Sequence, residues 1–381
     1  MRAVIIGAGI GGLTTSIALR QAGVETKVFE RASELREIGA GITLWPNAIK
    51  ALRKLDVADA VLAAGGAPAM GGEVRSWRGE VLYEVPVGAL EERYGVSVGL
   101  HRANLQTTLL SALPDDAVRL GAECVGFEQD AAGVTVRFAD RREERGELLI
   151  GADGLNSTIR AQLFGDKKPR YAGYTAWRGM VETREKFVRD GLGFESWGRG
   201  ARFGLLNMGQ GQLYWFATAN APEGEQDVTT GRKEELLRRF ERWHEPIPAV
   251  IRATEEPAIL RNDVYDREPV KRWSTGGVTL LGDAAHPTTP NLGQGACQAM
   301  EDAVVLARCL EEVEDSLTAA LRLYEARRAA RTAFVARRSW LVGRIGQLEN
   351  PLLCRLRDAL MKTAPLHAQL WQLDPIVGYE V

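Results

Sequence analysis

Residues 2–30 read RAVIIGAGIGGLTTSIALRQAGVETKVFE, and the order of textures within them decides the fold. RAVII (2–6) is a short apolar run suited to a buried strand, and GAGIGG (7–12) is a glycine-rich turn. LTTSIALRQAG (13–23) reads as a helix stopped by Gly23, and ETKVFE (25–30) is a second strand ending in Glu30. Strand, helix and strand within about 30 residues predict a right-handed parallel unit of a doubly wound sheet.

The turn itself has the spacing Gly7-x-Gly9-x-x-Gly12. Gly7 allows the tight turn, Gly9 lets backbone approach a pyrophosphate, and Gly12 lets helix and strand pack closely, with the helix N-terminus facing the phosphate charge. Glu30, about 20 residues on, supplies an acceptor for a ribose hydroxyl pair, and the combination predicts a bound dinucleotide. NAD and FAD both use such a turn, so the motif alone leaves the choice open.

Outward from this unit, VTVRF (134–138) alternates like an antiparallel strand, and ELLIGADG (147–154) is a buried strand running into a glycine turn. Between about 170 and 270 the segments YTAWRGMVET (174–183), ARFGLLNM (201–208) and QLYWFATA (212–219) are aromatic and β-branched, which predicts antiparallel sheet. After VTLLGDAAH (278–286) the first pattern returns, followed by helix over about 296–346 and 351–371.

The expected fold class is therefore α/β. A Rossmann-type FAD-binding domain with a mostly parallel sheet, at 1–70, 100–170 and 275–345, is interleaved with a smaller antiparallel-sheet substrate domain at 71–99 and 171–274, followed by a C-terminal helical segment at 346–381.

Composition narrows the function. A chain of 381 residues with 45% hydrophobic content supports a sizeable core and about two domains. Lys plus Arg number 48 against 50 Asp plus Glu, so a formal charge of −2 offers no field for a nucleic-acid partner. Cys124, Cys297, Cys309 and Cys354 form no CxxC pair, which predicts reduced thiols in the cytoplasm. There is no signal-peptide pattern and no membrane span, and His101, His244, His286 and His367 show no metal-ligand spacing. The run from Arg322 to Arg344, with seven arginines and one glutamate, reads as a solvated helix face. A monomer or homodimer is expected.

Two later motifs choose the dinucleotide. Gly151-Ala152-Asp153-Gly154 is followed by Ser157 and Arg160, and Gly282-Asp283-Ala284-Ala285-His286-Pro287 by Asn291-x-Gly293-Gln294-Gly295. In order and spacing, over nearly the whole chain, these resemble the single-component flavoprotein aromatic hydroxylases of the para-hydroxybenzoate hydroxylase type. The resemblance implies non-covalent FAD, NADH or NADPH as co-substrate, and transfer of one oxygen atom from O2 to an aromatic or heteroaromatic small molecule through a flavin C4a-hydroperoxide. It also implies that Gly11, Glu30, Arg31, Arg102, the backbone near Cys124, Asp283, Gly293, Gln294, Gly295 and Ala296 line the FAD, and that Asp153 both touches FAD and helps the nicotinamide approach. Physically, Asp283 ends a buried strand where ribityl hydroxyls can reach it. The Gly293-Gln294-Gly295 turn opens a helix whose amides can face the pyrimidine end of the flavin.

On the substrate side, YAGYTAW, the arginine strand at 202, Tyr214 and HPTTPNLGQG look most like the urate hydroxylase branch, where Arg202 and Tyr214 match substrate-contacting residues. A guanidinium there favours an anionic substrate. The departure is Asn291, where that branch carries an acid; an amide cannot act as a base, so urate itself is not expected. A phenol, a quinol or an alkene stays open, as do an epoxidase or tailoring oxygenase of a larger lipid or polyketide-like substrate and a reductase without oxygen insertion. Trp177 and Arg178 point to opposite faces of a regular strand, so at most one of them faces the flavin; Trp215 is a further aromatic candidate.

Overall fold

The computed structural model describes the chain except residues 36–40, 67–71, 86, 183–186, 189–191, 210, 227–230, 364 and 366–372. Gly71, where the substrate-domain expectation begins, as well as Thr183 and His367, lie outside the described residues.

The opening strand Arg2–Ile6 is flanked on both sides by parallel partners. Val4 pairs with Lys27 of Glu25–Phe29 on one side and with Leu149 of Leu148–Gly151 on the other. Val278–Leu280 extends the sheet beyond Leu148–Gly151, and Val118–Arg119 closes the other edge, giving a five-stranded parallel sheet. Ala3, Val4, Ile5, Leu148, Leu149 and Ile150 are all buried, as expected of strands covered on both faces. Because parallel strands all run the same way, the turns after Ile6, Gly151 and Leu280 open at one edge of the sheet.

The second layer is a seven-stranded sheet. Its order is Leu260–Asp266, Arg170–Glu182, Gln212–Asn220, Ala201–Gly209, Gly193–Trp197, Gly72–Ser76 and Val81–Val85. It has more strands than the parallel sheet, and it is antiparallel except where Gly72–Ser76 runs parallel to Gly193–Trp197. That pair is joined through the first layer, not by a hairpin, and a crossover of this kind permits parallel pairing. Trp177, Phe203, Leu205, Trp215, Phe240 and Ile251 fill its outer core against two short helices, Arg232–Phe240 and Ile247–Ala253.

The helical region after residue 294 is two elements. Gly295–Glu312 stops before Leu317–Gly346, whose N-cap Ser316 side chain accepts from the Ala319 N–H; Pro351–Thr363 follows. Packing of the first helix, Ile10–Gln21, against Gly295–Glu312 depends on small residues. A Cβ at Gly11 would stand 3.2 Å from Ala299 Cβ and 2.9 Å from Leu281 Cδ2. Among the described residues, no helix is long and apolar enough to cross a membrane, and the four cysteines are free and buried.

The arginine run is not simply a solvated face. Arg328 is fully buried and reaches from Leu317–Gly346 to Asp302 (Nε to Oδ1, 2.7 Å) and Glu301 (Nη1 to Oε2, 2.5 Å), while Arg331 also binds Glu301. Two carboxylates and two guanidiniums in close contact are tolerable in the interior where isolated charges are not. The second oxygen of Asp302 accepts from the Gly282 N–H (3.0 Å) and meets His286 Nε2 (2.6 Å), and Asn47 donates to Glu301 (2.6 Å). The network therefore ties the 282–286 turn and the Pro46–Lys54 helix to the two long helices.

Burial alone would raise the Asp302 carboxyl, but His286 and Arg328 hold it down at about 2, below the ordinary 3.8. A lowered carboxyl contributes stability that is complete above the ordinary value and is lost as pH falls towards about 2. Urea titrations from pH 5 to 2 should show this loss in the wild type and a weaker pH slope in Asp302→Asn. Arg328→Met, which takes one guanidinium away from two buried carboxylates, should cost about 3–5 kcal/mol at neutral pH.

Candidate functional site

At the shared edge of the parallel sheet, each glycine of the first turn has a distinct physical reason. Gly7 has φ +107°, and a Cβ there would stand 2.4 Å from the Ala152 carbonyl oxygen of the second motif. A Cβ on Gly12 would stand 1.9 Å from the Gly7 oxygen, so helix and strand approach too closely for any side chain. A Cβ on Gly9 would meet nothing within 4 Å; it would project into open space, in a cleft of about 670 Å³ that Gly9 and Gly11 help to line. Gly9 has ordinary extended backbone, so space for a ligand, not strain, is what glycine provides there.

Glu30 is held at this turn by the Ala8 N–H (2.9 Å, to Oε2) and the Ala32 N–H (3.0 Å, to Oε1), which orient its carboxylate while leaving acceptor capacity. The second motif lies behind Gly7. Asp153 Oδ2 accepts from the Ile159 N–H (3.3 Å), whereas its buried Oδ1 has no partner, and burial raises the carboxyl above its usual range. Arg160 of the same motif donates to the carbonyls of Ala284 and Ala285 (both 2.9 Å), fastening the second turn to the third.

In the third turn, Asp283 faces the cleft with its side chain open to that space yet walled by protein. Burial raises its carboxyl, with His286 and Arg102 opposing the rise. Arg102 starts the helix Arg102–Ser111 and also lines the cleft. Gly293 is left-handed (φ +61°), and it, Gly295 and Ala296 line the cleft where Gly295–Glu312 begins.

Three residues expected at the cofactor keep their side chains off the wall of this cleft, as do Glu30 and Asp153. The Gln294 side chain is fully buried between Asn47 (2.9 Å) and Gln298 (3.1 Å), so it braces the turn. Cys124 is buried at the start of a strand, directing its thiol at the Gly126 carbonyl, and Arg31 is exposed; neither belongs to the cleft wall.

The other end of the cleft is walled by the second sheet. Arg178, Tyr214, Phe216 and Thr218 line it, while Trp177 and Trp215, one residue out of phase, lie in the outer core, where Trp215 donates to Thr254 (2.8 Å). Arg202 is present but occupied: it donates to Glu195 (Nη1 to Oε1, 3.0 Å), to Asn291 Oδ1 and to Gln347 (3.3 Å). Asn291 Oδ1 also accepts from the Tyr174 hydroxyl (3.1 Å), and its amide nitrogen donates to Thr289 Oγ1 (2.9 Å) and the Ser339 carbonyl (3.0 Å). A carboxylate at 291 would set an oxygen against that carbonyl, so the surroundings suit an amide. Burial raises Tyr214, opposed by Arg178, and pushes Tyr83 up to about 12, helped by Glu195; both phenols stay protonated at neutral pH.

Glu195, Tyr83, Tyr174 and Gln347 were not singled out from the sequence. Strand alternation in GFESW sets Glu195 apart from Phe194 and Ser196, but only the pairing of Trp197 with Arg202 and of Glu195 with Gly204 brings the carboxylate beside the guanidinium.

A family model described as FAD binding domain matches residues 1–339. The chain is 49% identical over 360 residues to an aurachin C monooxygenase/isomerase of Stigmatella aurantiaca, covering 94% of this chain and 93% of the relative. It is 38% identical over 334 residues to an FAD-dependent urate hydroxylase of Klebsiella pneumoniae, covering 87% and 86% of the two chains. The structure of Klebsiella pneumoniae HpxO complexed with FAD and uric acid superposes with a TM-score of 0.93 at 34% identity, covering 99% of this chain and 97% of that one.

The turn geometry separates two substitutions. Gly9→Ala should fold with stability within about 0.5 kcal/mol of wild type yet bind FAD roughly tenfold more weakly or worse. Gly12→Ala should lose about 1–3 kcal/mol or fail to fold. Thermal melts of the apoprotein and flavin retention on gel filtration distinguish them; a Gly9→Ala protein that keeps its flavin contradicts the role given to Gly9.

Proposed function

Since the chain belongs to the FAD-binding-domain family and is an FAD-dependent monooxygenase acting on aromatic substrates, we propose that it uses NADH or NADPH to place one oxygen atom of O2 on a small, anionic aromatic or heteroaromatic ring held against the second sheet. The observation that carries this reading is a single cleft with dinucleotide turns at one end and Arg178, Arg202 and Tyr214 at the other.

The residues fit the cofactor. The open space over Gly9 and the cleft-facing Asp283 are each a place where FAD would supply what the protein leaves unmet. Gly9 and Gly11 would lie against the pyrophosphate, Glu30 would accept from the ribose, Asp283 from the ribityl chain, and the amides of 293–296 would face the ring's pyrimidine edge. Bound FAD, once reduced by the nicotinamide, supplies the two electrons that split O2 between substrate and water. The protein's own part is to exclude water, to orient the ring, and to keep it electron-rich by stabilising its anion with Arg178 and Arg202 while Tyr214 donates a hydrogen bond.

Urate, the substrate named for one relative, fits less well because Asn291 offers no carboxylate. A larger substrate is a second reading, favoured by a groove of about 720 Å³ that shares Thr289 and Asn291 with the cleft and is otherwise lined by residues such as Tyr174, Trp340, Ile345 and Leu348.

A panel of phenols, hydroxybenzoates, purines and hydroxyquinolines, with and without alkyl tails, tests both. Expected is stimulated NADH or NADPH oxidation together with a product carrying label from isotopically enriched O2. Nicotinamide oxidation without labelled product across the panel contradicts oxygen insertion, and activity confined to tailed compounds selects the second reading. Arg178→Met should raise KM for the best small substrate roughly tenfold to a hundredfold.

A further inference from the structure

Among the described residues lining the cleft, two carry carboxylates: Asp283 at the cofactor turn and Glu195 at the substrate end. Position 291, where an acid would otherwise stand in the urate-hydroxylase pattern, is an amide whose nitrogen is engaged by Thr289 and the Ser339 carbonyl. Glu195 and Asn291 bind adjacent terminal nitrogens of one guanidinium, Nη1 and Nη2 of Arg202, so the acid has the same partner but comes from the other side, on strand Gly193–Trp197. Both side chains line the cleft, with Glu195 27% exposed and Arg202 only 3%, so the carboxylate is the more open of the two.

We infer that Glu195 is the proton acceptor for the substrate in this chain, taking over from the strand beside Arg202 a task that Asn291 cannot perform. The inference rests on the aromatic reading above. The substrate's O–H or N–H bond breaks, the proton goes to a Glu195 oxygen, and the electron pair stays on the ring substituent. Arg202 then exchanges its partner, from the Glu195 carboxylate to the substrate anion, so one ion pair replaces another and no unpaired charge is created in the cleft. The proton leaves to water with product.

Other groups are poorly placed for this. His286 is buried against Asp302, and Asp283 lies at the cofactor turn. The groups facing Glu195 are Arg202 from Ala201–Gly209, Tyr83 from Val81–Val85 and Tyr174 from Arg170–Glu182; Val74 opposes it on Gly72–Ser76 without charge. Both tyrosines are phenols whose ionisation burial opposes, and Tyr174 donates its hydroxyl to Asn291.

The test uses the FAD-loaded protein and 4-nitrocatechol, whose absorption shifts to long wavelength on ionisation, titrated across pH values below the probe's own ionisation. With wild type, the bound probe should show the ionised spectrum, and its affinity should be flat with pH because the proton stays in the complex. With Glu195→Gln, either the bound probe stays neutral, or it ionises only by releasing a proton, and its affinity then falls tenfold for each unit the pH is lowered, roughly 1.4 kcal/mol each. Glu195→Asp, which keeps a carboxylate, should restore the flat profile and guards against a folding defect in the amide variant. Turnover of the best panel substrate by Glu195→Gln should drop roughly a hundredfold or more. An ionised probe with pH-flat affinity in Glu195→Gln overturns the assignment, because another group then takes the proton. A wild-type cleft that takes up neither the probe nor any compound of the panel overturns the aromatic reading itself, so the two failures are read separately.

Discussion

In the five-stranded sheet Gly151 lies beside Ile6 and Leu280 beside Gly151, and this parallel register is the constraint on which the rest of the molecule depends. It brings together three turns separated by well over a hundred residues each, because parallel neighbours end on the same side. The close packing of Gly7 on Ala152 and of Gly12 on Gly7 leaves the turns no freedom to drift apart, and Arg160 bonds the second turn directly to the third. Turns packed and bonded in this way would need little reordering to accept a dinucleotide.

The buried charge network serves the same edge from the far side. Asp302 receives the Gly282 amide and His286, while Glu301 holds Asn47, which in turn holds Gln294. Both halves of the third cofactor motif are thus anchored to helices Gly295–Glu312 and Leu317–Gly346 by hydrogen bonds that would be costly to leave unmade. An apolar replacement could stabilise the helices as well, but it could not orient the turn.

At the substrate end, the second sheet divides labour by strand alternation. Trp177 and Trp215 make the outer core, while Arg178, Tyr214 and Phe216 face the cleft. Arg202 is the junction, joining Glu195, Asn291 and Gln347 from three different parts of the chain. Its charge is shared within the resting protein, so any anion entering the cleft must compete with Glu195 for it. On the role inferred for Glu195, that competition would favour ligands able to give up a proton as they bind.

The sequence by itself determined the cofactor half of this protein. Gly7, Gly9, Gly12, Glu30 and Asp283 carry their meaning locally, since a tight turn, a close backbone approach and an acidic strand end are properties of short segments. The strand phase separating Trp177 from Arg178 was legible for the same reason. Tertiary structure alone decided the rest. Arg328, in a run that looked like a solvated face, is fully buried because its carboxylate partners lie some 26 residues earlier on a different helix. Gln294, in a cofactor motif, turns its side chain away into Asn47 and Gln298. Glu195 is one glutamate among many in the chain until strand pairing sets it beside Arg202, because a contact between strands depends on register, which single segments do not encode.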